Sequence, residues 1–85
     1  MRTTIWKFPL NTGKIGMPLV AQILHVHEQS GIPCIWAAVD PDQTKVIRKF
    51  NVVPTGGDNY KETDDYLGTV HMQSGLVFHI FEDKH

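Results

Sequence analysis

Short apolar runs, each closed by turn-forming residues, divide this chain into strand-like segments. "TTIWKF" (3–8) carries Ile5, Trp6 and Phe8 before Pro9 stops it. "NTGKIG" (11–16) reads as turn material around Gly13 and Gly16. "AQILHVHE" (21–28), "IPCIWAAVD" (32–40) and "TKVIRKFNVV" (44–53) follow as further runs. A long polar loop, "PTGGDNYKETDD" (54–65), separates them from "YLGTVHM" (66–72) and "LVFHIFE" (76–82). Strands at this spacing predict an all-β fold, a small, strongly bent antiparallel barrel of five to six strands.

A helix over 17–30 is the rival reading. Met17, Val20 and Leu24 fall at helical spacing, Pro18 suits a first helical position, and Gly31 suits a cap. Glu28 breaks that series, and Ile23 and Val26 favour strand. A single helical turn near Met17–Val20 is compatible with the strand reading.

The chain writes one heptapeptide almost twice, "VHEQSGI" at 26–32 and "VHMQSGL" at 70–76. Three residues ending in Gly between two strand-like runs suit a hairpin loop with a left-handed glycine, here Gly31 and Gly75. Pairing 28 with 32 and 72 with 76 then sets the faces. Leu24, Val26, Cys34 and Trp36 are expected on one face of the first hairpin, with His25 and His27 on the other. In the second, Val70, Phe78 and Ile80 share one face, and His71 and His79 the other. The repeat is two similar hairpins, and its histidines need no chemical role.

Eighty-five residues make one domain, 1–85. A chain this short buries only about 60–65% of the surface it exposes when unfolded, so a partner subunit would add stability. Eight basic residues against 9 acidic ones leave a net charge of −1, which removes any general attraction to nucleic acid or membrane. Cys34 is the only cysteine, so no internal disulfide forms, and its apolar surroundings predict a buried, inert thiol. No run is long enough to span a membrane, and the N-terminus lacks the apolar core of a signal peptide. A reducing cytoplasm is the expected setting.

Candidate chemistry is sparse. His25/His27 and His71/His79 form same-face pairs, but any i, i+2 pair on a strand does so, and no zinc spacing accompanies them. His85 is terminal and expected to fray. Asp58, Glu62, Asp64 and Asp65 lack the order of a calcium loop. "GG" at 56–57 is not followed by a phosphate-loop lysine, and no serine sits in a nucleophile elbow. No catalytic set, cofactor or metal site is therefore assigned. The one basic cluster is Lys45, Arg48 and Lys49, where Lys45 and Lys49 share a strand face and Arg48 points the other way with Phe50. These three are the nucleic-acid-binding candidates, with Trp6, Phe50 and Tyr60 as stacking platforms.

"TIWKFPL" (4–10), "MP" (17–18), "AQIL" with Val26, "GIPCIWAAVDP" (31–41), "TG" (55–56), "YLGT" (66–69) and "GLVFHIFE" (75–82) span nearly the whole chain. Through them it resembles a family of small uncharacterised proteins from phage and environmental sequences. That family carries no assigned activity, so no site residue transfers. The architecture also looks like an Sm-like or SH3-like small barrel. Sm-like proteins assemble into rings by pairing edge strands and bind single-stranded RNA. Their short RNA-contacting signature is not evident here; the nearest stretch, "VDPDQT" (39–44), reads as a plain turn.

Three functional expectations follow. The first is a non-enzymatic module that self-associates, with Tyr66–Met72 and the N-terminal strand as edges to be covered. The second is a single-stranded RNA binder using Lys45, Arg48 and Lys49. The third is a metal site built on the histidine pairs.

Overall fold

The computed structural model of the chain describes residues 3–84; Met1, Arg2 and the expected fraying of His85 lie outside the described residues. Seven strands run in chain order: β1 (Thr4–Pro9), β2 (Lys14–Pro18), β3 (Gln22–Gln29), β4 (Ile32–Val39), β5 (Lys45–Pro54), β6 (Asp65–His71) and β7 (Val77–Asp83). They form two antiparallel sheets, ordered β1-β4-β3 and β2-β5-β7-β6. The all-β reading holds, but two sheets stand where one barrel of five to six strands was expected. The additional strand is β2, which begins inside the 11–16 stretch that reads as turn and runs on to Pro18. Its Gly16 and Pro18 are poor strand formers, and it exists because Lys14–Pro18 pair with Lys45–Lys49 of β5. As an edge strand it tolerates a proline that lacks a ladder donor. The helical turn that the sequence allows near Met17–Val20 does not form: Met17 and Pro18 belong to β2, and residues 19–20 form a turn closed by Ala21 N–H donating to Pro18 O (3.2 Å).

The two hairpins differ more than their sequences do. In the second, His71 pairs with Val77, Met72 N–H donates to Leu76 O (2.8 Å), and Gly75 has φ 95°, as the three-residue loop predicts. In the first, Gln29 pairs with Ile32 and Glu28 with Pro33, one residue away from the predicted register. Only Ser30 and Gly31 form its loop, with φ of 54° and 80°. Two positive values are what a type I′ turn requires, and that turn matches the right-handed twist of its strands.

A one-residue slip exchanges faces. Val26 therefore opposes Ile35 and points to the core, while His25 and His27 oppose Trp36 and Cys34. Leu24 is displaced by a bulge between Ile23 and His25 and is 48% exposed. Cys34 remains buried, as expected.

The core lies between the inward faces of the two sheets. Ile35, Ala37, Val39 and Val26 come from one sheet, and Met17, Phe50, Val70 and Ile80 from the other. Where β3 crosses β6, a Cβ placed on Gly68 would sit 2.4 Å from Val26 Cγ2. Only glycine permits that approach. Each of the two strands carries a bulge beside the crossing, at Ile23/His25 and Tyr66/Gly68, and bulges bend strands.

Among the described residues one ion pair is largely buried, between β5 and β7. Arg48 Nε and Nη2 donate to the two carboxylate oxygens of Glu82, each at 2.7 Å, and Nη1 donates to Ala21 O at 2.6 Å. The Glu82 side chain is 8% exposed and that of Arg48 20%. The pair joins β5 and β7 to the turn that leads into β3, so it ties the sheets together.

Two stability changes are expected in urea denaturation. Gly68→Ala overpacks the crossing and should cost about 2 kcal/mol, part of which Val26→Ala in the same chain recovers. Glu82→Ala leaves the Arg48 charge without its partner and should cost about 3 kcal/mol. Arg48→Met with Glu82→Leu should lose far less than that single substitution.

Candidate phosphate and ring-binding face

Alternation along β5 sorts the predicted basic cluster. Lys45 and Lys49 point outward with Ile47 and Asn51, whereas Arg48 points inward with Phe50, a separation that its spacing predicts. The structure therefore does not bring the three candidate cations together. Arg48 is held by Glu82, and the predicted platforms Trp6 and Phe50 pack in or against the core. Tyr60 alone of the three predicted rings lies open, at 58% exposure.

Partners for Lys49 come from elsewhere in the chain. Lys14 of β2 is its direct cross-strand neighbour, and Asp83 of β7 faces it from the other side. Lys61 arrives from the 55–64 loop. Together with Thr12 and Asn51, these side chains line an open cleft of ≈ 580 Å³. Among the described residues three ammonium groups there meet one carboxylate, and none of the three lysines has a salt-bridge partner. Like charges set directly opposite on adjacent strands repel, with Cβ atoms about 5 Å apart. An anion held between them would remove that repulsion.

The loop carrying Lys61 is fastened across this face. Asn51 Nδ2 donates to Asn59 O (2.9 Å), and Asn59 Nδ2 donates to Val52 O (3.1 Å). The bonds lay Tyr60 beside Phe81, ring centroids 5.3 Å apart, and Tyr66 reaches the same ring from β6 at 5.5 Å. The loop closes at Asp64, whose N–H donates to Lys61 O (3.1 Å) and whose buried carboxylate oxygens have no partner among the described residues. That uncompensated acid is a local cost within the loop.

With this geometry in place, the chain can be compared with known proteins. A family model described as a domain of unknown function, DUF7352, matches residues 1–85. The chain belongs to that family. No curated protein and no solved structure gives a significant match. The resemblance to an uncharacterised family is thus correct at that level, and no residue role comes with it.

The histidine pairs stay apart. His25 and His27 stack on each other at 5.8 Å on the outer face of the three-stranded sheet, with Trp36 beside His25. His71 and His79 lie on the four-stranded sheet. Among the described residues no group of three or more His, Cys, Asp or Glu gathers to hold a metal. The stretch "VDPDQT" is a turn as read, with Asp40 accepting from Asp42 N–H (3.1 Å) and Gln43 Nε2 (3.3 Å). Nor, among the described residues, is any helix long and apolar enough to cross a membrane.

Sequence reasoning missed Lys14 and Lys61. Lys14 was hidden by β2 reading as a turn. Lys61 was hidden among four acidic neighbours in the loop, although its adjacency to Tyr60 is the pattern of cation beside ring that flagged Lys49.

Proposed function

We propose that this domain is a non-enzymatic binding module, and that its four-stranded sheet takes single-stranded nucleic acid on the outward face. The observation that carries this reading is the cleft of Lys14, Lys49 and Lys61, on the same face as the Tyr60–Phe81–Tyr66 rings. Ammonium groups hold phosphates without regard to sequence, and rings stack bases with equal tolerance. Lys45 extends the basic side of the face; Arg48 has no part in it. A net charge of −1 makes this a local attraction, strongly dependent on salt.

Self-association, after the manner of Sm-like rings, is the second reading. The edge strands are β1, β3, β2 and β6; β3 and the expected edge β6 lie against each other, and among the described residues β1 and β2 have no further strand beside them. Each carries a lysine and ends in proline, features that discourage edge pairing. The single-strand reading is accordingly preferred. Either form suits a reducing cytoplasm, where the buried Cys34 thiol stays intact.

The test is fluorescence anisotropy of a labelled oligouridylate at several salt concentrations. Three lysine–phosphate contacts predict a slope of log K against log salt of about −2. Lys14→Glu and Lys61→Glu should each weaken binding at least tenfold. Lys14→Glu should also raise the unfolding midpoint, because it turns a repulsive cross-strand pair into an attractive one. Binding unmoved by salt and by both substitutions would overturn the proposal. Light scattering on the same sample reads the oligomer: a uniform ring favours the second reading, a monomer removes it.

A further inference from the structure

On the other side of the Tyr60–Lys61 segment lies a second open cleft, of ≈ 250 Å³. Thr55, Gly56, Gly57, Tyr60, His79 and Phe81 line it. Its walls are apolar or aromatic, and its polar edge is built as a chain of hydrogen bonds. Thr55 Oγ1 and His79 Nε2 share a bond of 2.8 Å, and His79 Nδ1 and Thr69 Oγ1 one of 3.1 Å. Thr69 Oγ1 and Tyr66 OH close the series at 2.5 Å. Both imidazole nitrogens are therefore engaged by hydroxyl groups, which fixes the ring plane.

A neutral imidazole has one N–H and one bare nitrogen, so this chain runs in either of two directions. In one, Tyr66 donates to Thr69, Thr69 donates to Nδ1, and Nε2–H donates to Thr55. The Thr55 hydroxyl proton is then free to point into the cleft. In the other, Thr55 donates to Nε2, Nδ1–H donates to Thr69, and Thr55 offers only lone pairs to the cleft. One hydroxyl thus presents a donor or an acceptor as its occupant requires.

Those properties suit a planar heteroaromatic ring with mixed donors and acceptors on its edge. We propose that the His79 cleft is a nucleobase pocket, Tyr60 and Phe81 packing against the base and Thr55 reading its edge in either polarity. This rests on the single-strand reading above and deepens it. Lys49 and Val53 share one face of β5 by alternation, Val53 buried beneath the second cleft, four residues and about 13 Å apart. A phosphate in the lysine cleft and a base in the His79 cleft belong to different nucleotides of one strand. The reversible edge predicts tolerance: all four bases enter, none excluded by its hydrogen-bonding pattern.

Amide chemical-shift titration with the uncharged nucleosides adenosine, guanosine, cytidine and uridine tests the pocket apart from the lysines. Each nucleoside is expected to shift the amides of Thr55, Gly56, Gly57 and Tyr60, with affinities within about tenfold of one another, a spread of roughly 1.4 kcal/mol. Thr55→Val keeps the shape and removes the hydroxyl; it should weaken nucleoside binding at least tenfold, and His79→Phe should do the same. The same spectra show whether each variant is folded. No shift with any nucleoside, or shifts unchanged in both variants, would overturn the pocket. Because nucleosides carry no phosphate, that failure leaves salt-dependent oligouridylate binding standing on the lysine cleft. Nucleoside shifts without oligouridylate binding would support the pocket and overturn the single-strand reading instead.

Discussion

The Arg48–Glu82 pair is the constraint around which the rest of this small domain is arranged. A guanidinium and a carboxylate bonded through two short parallel contacts need water excluded and neighbours held still. The third bond, to the Ala21 carbonyl, commits the turn before β3 to the same spot. Three segments far apart in sequence are therefore pinned at one point between the sheets. The pairing also decides which charges reach solvent. Once Arg48 points inward, alternation along β5 sends Lys45 and Lys49 out, and the basic run separates into a structural arginine and surface lysines.

Close approach of β3 and β6 is the second condition. A bulge in each strand bends it toward the other, and a glycine at 68 removes the side chain that would hold them apart. Without that approach, Val26, Val70 and Ile80 would not share one core. An 85-residue domain has little burial to spare, so this contact and the ion pair carry weight that a larger core would dilute.

The outward face of the four-stranded sheet owes its chemistry to the loop laid across it. Asn51 and Asn59 fasten the 55–64 segment, and that segment separates a lysine cleft from a histidine cleft. A rigid sheet supplies Lys49, Phe81 and His79, and the loop supplies Tyr60, Lys61 and Thr55. Ligand sites are often built in this way, with a scaffold fixing distances and a loop supplying the contacts.

Period-two alternation and turn residues were enough, read from the sequence, to place six of the seven strands, the second hairpin's register and the separation of Arg48 from Lys45 and Lys49 onto opposite faces. These are local properties, set by side-chain spacing and by glycine at a left-handed position. That the Arg48 face is the buried one was not legible there. The first hairpin shows where local reading stops. "QSG" is compatible with a two- or a three-residue loop, and only the packing of Val26 against Ile35 and Gly68 selects the shorter one. β2 is the same case in reverse: Gly16 and Pro18 argue against a strand, and partnership with β5 overrides them. The lysine cleft depended on that partnership, because Lys14 and Lys49 stand 35 residues apart and meet only through the β2–β5 ladder. Spacing along the chain determined which residues share a strand face. Which faces meet, and so which charges and rings gather, was decided by tertiary pairing alone.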